Sequence, residues 1–174
     1  VLFRSSDSDE MLKTAKNLGA TPVLRPAEYA SDECSINDAW EYMAQQMDCG
    51  HILYTNVTNP LIEDETYKKC INKYSVNSIT SNYESLNTVS LVKEFLWLDG
   101  EPLNYKADAQ PRSQDLPDVF HPNFAINIIS RESMIKNKSV IARKFYPYFI
   151  GKIESIDIDD NEDFRMAELL YLNR

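Results

Sequence analysis

From Asp9 to Tyr83 the apolar residues switch repeatedly between two spacings, and each switch carries a stop signal. Met11, Leu12, Ala15 and Leu18 recur at helical spacing after a capping Ser8 or Asp9, and Gly19 closes the run. Thr21–Arg25 then reads as a short strand ended by Pro26. Asp38–Met47 returns to the helical period through Ala39, Tyr42, Met43 and Gln46. His51–Val57 is a strongly apolar strand that Pro60 breaks, Glu63–Tyr74 predicts a third helix, and Asn77–Tyr83 predicts another strand. Such alternation predicts an α/β fold, a mostly parallel sheet with helices on its faces.

The middle of the chain changes character. Val89–Leu98 runs into Asp99-Gly100, a turn signal, and then into Glu101–Tyr105, which predicts an inserted hairpin. Lys106–Pro122 is polar and proline-rich, hence a long loop, and loops of that length are usually functional or disordered. Phe124–Ile129 returns to strand, Glu132–Lys138 reads as a short helix or turn, Gly151–Ile158 predicts the last strand and Glu162–Leu172 the last helix. The 174 residues suit a single domain, and a core of that size needs no disulfide or metal staple. Val1–Ser5 has no turn or cap before it. It is expected either to be foreign to the natural sequence, which then resumes near Ser5 or Ser6, or to form a natural strand over Val1–Arg4.

Charge narrows the function classes. The net charge of -9, with no concentration of Lys or Arg, argues against nucleic acid and anionic membrane surfaces as partners. Cys34, Cys49 and Cys70 are odd in number and form no CxxC pair, which points to reduced thiols and a cytoplasmic setting. No apolar run is long enough to span a membrane.

Several residues could carry chemistry. In Ser155–Asp163 isoleucines alternate with acids, so Asp157 and Asp159 point to one side of the expected strand end. Two carboxylates there offer hard-oxygen ligands of the kind Mg²⁺ takes alongside substrate phosphates. Asp160, Asn161, Glu162 and Asp163 suit the positive end of the following helix. A calcium loop is disfavoured, because Glu162 stands where that loop needs glycine and a strand is expected before it. Asn56–Pro60 follows a buried-looking strand, where open parallel sheets bind ligands. Asn56 and Thr58 there can bond a neutral polar ligand, although an ordinary Asn-Pro turn reads equally well. Arg112 and Arg25 suit anion recognition but are also ordinary solvated arginines. Neither His51 nor His121 has partners for a triad or a zinc site, and Phe145–Phe149 reads as core or an oligomer contact. The four glycines, Gly19, Gly50, Gly100 and Gly151, lie far apart, so the sequence holds no glycine-rich phosphate loop.

Taken in order, these segments resemble the acylneuraminate cytidylyltransferases, the CMP-sialic acid synthetases and their legionaminic and pseudaminic acid relatives. Ser6–Glu10 is similar to the S-T-D-x-E turn of that family and Leu24–Ser35 to its R-P-x-x-L-A-x-D segment. Thr55–Ile62 stands where the family has L-Q-x-T-S-P-L. Arg112–Pro117 matches its R-x-Q-D-L-P loop, and Ser155–Glu168 its S-x-D-I-D-x-x-x-D-F-x-x-A-E ending. The family's x-A-R-x-G-S-K-G loop does not occur. The resemblance therefore implies the C-terminal three-quarters or so of such an enzyme, inactive by itself.

The resemblance implies a three-layer, Rossmann-like nucleotidyltransferase domain. It would transfer CMP from CTP to the anomeric hydroxyl of a nine-carbon 2-keto sugar acid, releasing pyrophosphate. Asp157 and Asp159 would hold Mg²⁺. Arg25, Cys34 and Ser35 would border the cytidine. Asn56, Thr58, Lys93, Arg112, Gln114, Asn123 and Asn127 would line the sugar site. Residues 84–122 and 132–150 would build a homodimer contact. Asn56 replaces the family Gln, Asn59 its Ser, Phe124 its Gly and Ser113 a basic residue; these changes cluster in acceptor segments, so the resemblance leaves open which nine-carbon sugar acid is the acceptor. The alternatives are another sugar nucleotidyltransferase on the same fold and a non-catalytic sugar-binding module.

Overall fold

A computed structural model of the chain describes residues 1–79 and 82–174, and its elements fall into two compact units. The first comprises Val1–Ile52 with Ile129–Arg143, the second Leu53–Ile128 with Lys144–Arg174.

In the first unit, β1 (Phe3–Ser6) and β2 (Thr21–Leu24) pair in parallel, Phe3 opposite Thr21 and Ser6 opposite Leu24. Helix α1 (Asp9–Asn17) connects them. Ser8 caps it by accepting from the Met11 amide at 3.4 Å, and the chain leaves it through Gly19 at φ +85°. That left-handed conformation is why glycine stops the helix there. A strand forms near the N-terminus, over Phe3–Ser6 instead of Val1–Arg4. Helix α2 (Ile36–Gln45) buries Ala39, Trp40 and Ala44 and packs on α4 (Arg131–Asn137), which buries Met134. Arg131 seals the pair. Its guanidinium donates to the Ala44 carbonyl at 3.0 Å and the Gln45 carbonyl at 3.4 Å, two of the acceptors a helix end leaves open.

The remaining elements belong wholly or mostly to the second unit. They are β3 (His51–Tyr54), α3 (Asp64–Ile79), β4 (Ser85–Val92), the small ribbon β5 (Trp97–Leu98) and β6 (Glu101–Pro102), β7 (Val119–Ser130), β8 (Phe145–Phe149) and α5 (Asn161–Leu172). The strand order is β3-β7-β4-β8, with β4 and β8 parallel. Ser85–Val89 of β4 is buried throughout, as a strand covered on both faces must be. Cys70 and Tyr74 of α3, Leu86 of β4 and Ile126 and Ile128 of β7 form one apolar cluster, with Ile62, Tyr67, Tyr146 and Tyr148 against it. Complete burial of a residue such as Leu86 or Ile126 contributes about 1.5–3 kcal/mol.

The α/β class with parallel pairing is as expected, and so are four helices; Glu132–Lys138, expected as helix or turn, is helical, and the expected hairpin shrinks to β5 and β6, since Val89–Val92 belongs to β4. Three further details differ. Residues Asn77–Ile79, expected to open a strand, continue α3; Thr80 and Ser81 of that expected strand lie outside the described residues. The last strand is not Gly151–Ile158 but Phe145–Phe149, and Gly151–Asp160 is turn and coil. Residues 84–122, expected as an insert, include β4, an interior strand of the main sheet.

Candidate functional site

The acidic segment before α5 divides into two pairs of carboxylates with different tasks. Asp160 caps the helix, accepting from the Glu162 amide at 2.7 Å and the Asp163 amide at 2.9 Å. Asp163 reaches back to accept from the amides of Asp159 at 3.1 Å and Asp160 at 3.2 Å. This reciprocal cap satisfies donors the helix start would otherwise leave open. Asp157 and Asp159 take no part in it through their side chains. Asp159 is exposed. Oδ1 of Asp157 is buried and accepts no hydrogen bond. A buried carboxylate oxygen without a donor is costly unless a cation or proton donor meets it. Asp157 lies in coil instead of at a strand end, and the next residue, Ile158, sends its amide to the Thr58 carbonyl at 2.9 Å.

The Asn56–Pro60 turn is therefore fastened to the Asp157 segment. Asn59, 3% exposed, donates its side-chain amide to the Ile156 carbonyl at 3.0 Å, and its own Oδ1 is buried without a partner. Asn56 and Thr58 are half-buried beside it. Below this turn the Thr55 hydroxyl donates to the Ala125 carbonyl at 2.7 Å, holding the end of β3 on β7.

The expected sugar-site residues on β7 sit differently. Thr88 donates its hydroxyl to Oδ1 of Asn123 at 2.6 Å, and Asn123 donates to the Ser90 hydroxyl at 2.9 Å. Asn127 is fully buried; it accepts from the Asn87 amide at 2.8 Å and donates to the Phe124 carbonyl at 2.8 Å. Asn127 has no surface with which to touch a ligand, so its expected sugar contact is not what this structure offers. The two asparagines instead bracket Phe124, whose backbone lies at φ +55°, a left-handed conformation inside a strand. Lys93 is also engaged. It donates to the Leu116 carbonyl at 2.6 Å and pairs with Asp118 at 2.5 Å, pinning the long loop. Arg112 pairs with Asp115 at 2.7 Å; it lies exposed just before a short 3₁₀ turn, Ser113–Asp115, on which Gln114 is also exposed.

In the first unit Cys34 and Ser35 line an open pocket of about 430 Å³ together with Glu28, Tyr29, Glu33, Asp38, Glu41 and Lys138. Ser35 caps α2 by accepting from the Asp38 amide at 3.1 Å, and its hydroxyl donates to the Asp38 carboxylate at 2.7 Å. That hydroxyl and the Lys138 ammonium hold the Asp38 carboxyl below its usual range. Lys138 bridges Asp38 at 3.0 Å and Glu41 at 2.7 Å, and these carboxylates raise its own pKa. Nothing in the sequence pattern announced this clasp, because Asp38 and Lys138 are far apart in the chain. Arg25 is not among the pocket's lining residues; its guanidinium donates to the Ser5 hydroxyl and carbonyl, each at 3.3 Å.

The same α/β fold occurs in solved structures. The chain superposes on 4-diphosphocytidyl-2C-methyl-D-erythritol synthase from Anaerococcus prevotii with a TM-score of 0.67 at 13% identity, covering 99% of this chain and 80% of that one. It also superposes on CMP:2-keto-3-deoxy-manno-octonic acid synthetase in complex with CTP, with a TM-score of 0.64 at 8% identity, covering 97% and 79%. No protein-family profile matches the chain. By sequence it is similar to the N-acylneuraminate cytidylyltransferase of Streptococcus agalactiae serotype V, 28% identical over 170 residues and covering 94% of this chain. The chain spans about 40% of the length of the relatives it matches in this way.

Proposed function

We propose that this chain is part of a Mg²⁺-dependent cytidylyltransferase that moves CMP from CTP to the anomeric hydroxyl of an acidic nine-carbon 2-keto sugar, releasing pyrophosphate. The observation that carries the proposal is the similarity to N-acylneuraminate cytidylyltransferases over 94% of the chain. The state of Asp157 supports it. Its unpartnered oxygen suits a cation ligand. Among the described residues no three or more metal-binding side chains converge, so Asp157 and Asp159 would leave most of the coordination shell to water and substrate oxygens, as Mg²⁺ prefers. Mg²⁺ bound there would offset the triphosphate charge and polarise the α-phosphorus.

The other residues act by binding. Asn56 and Thr58 present polar groups to the sugar from the turn beside Asp157. Arg112 offers a bidentate fork to the sugar carboxylate. Its present partner, Asp115, is exposed, and an exposed ion pair of this kind is weak enough to exchange. Cys34 and Ser35 border the cytidine in the carboxylate-rich pocket, whose acids suit the base amine and the ribose hydroxyls as donors. Arg25 steadies β1 through the Ser5 hydroxyl and carbonyl. Residues 84–122 and 132–150, outside β4, supply a homodimer contact, and the enzyme works in the cytoplasm. Among the described residues no helix is long and apolar enough to cross a membrane.

The test uses the full-length protein, because the dispersed glycines of these 174 residues offer no loop to cradle a triphosphate, and the segment alone is expected to be inactive. Asp157→Asn is expected to lower CMP-sugar formation about 10²–10³-fold, the usual scale for one lost electrostatic contact in a transition state. Asp160→Asn, which caps almost as well, is expected to change little. Equal losses in the two variants would reduce the acidic segment to a helix cap.

A further inference from the structure

We infer that Asn59 is the positioning residue for Asp157, an inference that rests on the cytidylyltransferase reading of this site. Four observations meet at one junction. The Asn59 amide holds the Ile156 carbonyl at 3.0 Å, on the peptide that leads into Asp157. The adjacent Thr58 carbonyl takes the Ile158 amide at 2.9 Å, on the peptide that leads out of Asp157. The aspartate is therefore fixed from both sides by two consecutive residues of one turn. Asn59 itself is 3% exposed, and its Oδ1 and Oδ1 of Asp157 are both buried without a hydrogen-bond partner.

The orientation of the Asn59 carboxamide follows from its partner. A carbonyl oxygen only accepts, so the amide nitrogen must face Ile156 and the side-chain oxygen must face away. Two acceptor oxygens, Oδ1 of Asn59 and Oδ1 of Asp157, are thus left without a bonded donor. What satisfies them brings protons or positive charge: a cation or the water it binds. Groups that orient a metal ligand without touching the metal typically change metal affinity 10–100-fold when removed. Serine and alanine both lack the carboxamide nitrogen that donates to the Ile156 carbonyl.

The experiment titrates Mn²⁺ alone into the full-length protein and follows free Mn²⁺ by electron paramagnetic resonance, for the unaltered protein, Asn59→Ala, Asn59→Ser and Asp157→Asn. Thermal melts establish that each variant is folded. Positioning predicts that folded Asn59→Ala and Asn59→Ser bind Mn²⁺ at least about tenfold more weakly, while Asp157→Asn loses binding almost completely. Unchanged Mn²⁺ affinity in the folded Asn59 variants, with loss in Asp157→Asn, overturns the role of Asn59 and leaves the cytidylyltransferase reading intact. Unchanged affinity in Asp157→Asn removes the cation site itself and, with it, both readings. Failure of both Asn59 variants to fold assigns Asn59 to the fold at large and also overturns the inference.

Discussion

Phe124 occupies a backbone conformation that a residue with a side chain adopts at a penalty. At φ +55° its Cβ crowds the following carbonyl, which costs roughly 1–2 kcal/mol in an L-residue. The bonds from Asn127 to the Phe124 carbonyl and from the Ala125 amide to Asn123 hold it there. Two substitutions separate the backbone from the ring. Phe124→Gly and Phe124→Ala lose the same half-buried side chain, but only glycine relieves the left-handed conformation. Urea denaturation is expected to find Phe124→Gly more stable than Phe124→Ala by about 1 kcal/mol; equal stabilities would show that the strand carries no such tension. Residues like these also mark where the sequence was readable. The separation of Asp157 from the capping Asp160 was visible in the alternation of acids and isoleucines. The burial of Asn127 was not, since an asparagine within Phe-Ala-Ile-Asn-Ile-Ile is equally compatible with a pocket wall and with a core network.

Among the elements, helices were the most legible because their caps stand in the sequence. Ser8, Ser35, Ser130 and Asp160 each open a helix and bond its first turn. Strands were harder to place where the period of two had another cause. Ile156 and Ile158 alternate with aspartates, yet the Ile158 amide goes to Thr58 instead of a sheet ladder. The true last strand was hidden by Pro147, which sits inside β8. Lys144 and Ile150 direct their backbone groups to β4, through Glu84 and Val89, so Pro147, of opposite parity, faces away from the ladder and removes no bond from it. The β5–β6 ribbon was read correctly from Asp99-Gly100, and both residues have positive φ, 52° and 83°. That geometry suits the right-handed twist of a tight hairpin. A Cβ at Gly100 would meet nothing within 4 Å, so Gly100→Ala tests conformation alone. It is expected to loosen this ribbon by about 1 kcal/mol, seen as faster hydrogen exchange at the Leu103 amide, which is bonded to the Leu96 carbonyl.

For the molecule as a whole, the buried thiol of Cys70 sets a limit on alkaline stability. Burial, reinforced by the negative charge of Glu154, pushes it up to about 12 from an ordinary value of 9.0. The folded state therefore keeps a proton that the unfolded chain releases. Its contribution is intact below about pH 9 and is lost as pH rises through about 12. Cys70→Ala should be less stable at neutral pH because of the space it leaves, yet decline less steeply above pH 9 in thermal melts. A thiol reagent should modify exposed Cys49 first, half-buried Cys34 more slowly, and Cys70 only on unfolding. The place of Pro147 has a separate consequence for how copies of this chain coexist at high concentration. β8 is the outermost strand in its sheet order, and such a margin invites a strand from another molecule to zip onto it and seed aggregates. The outward-facing ring of Pro147 leaves that zipper one donor short at its middle and props the newcomer away, so the sheet ends where it does.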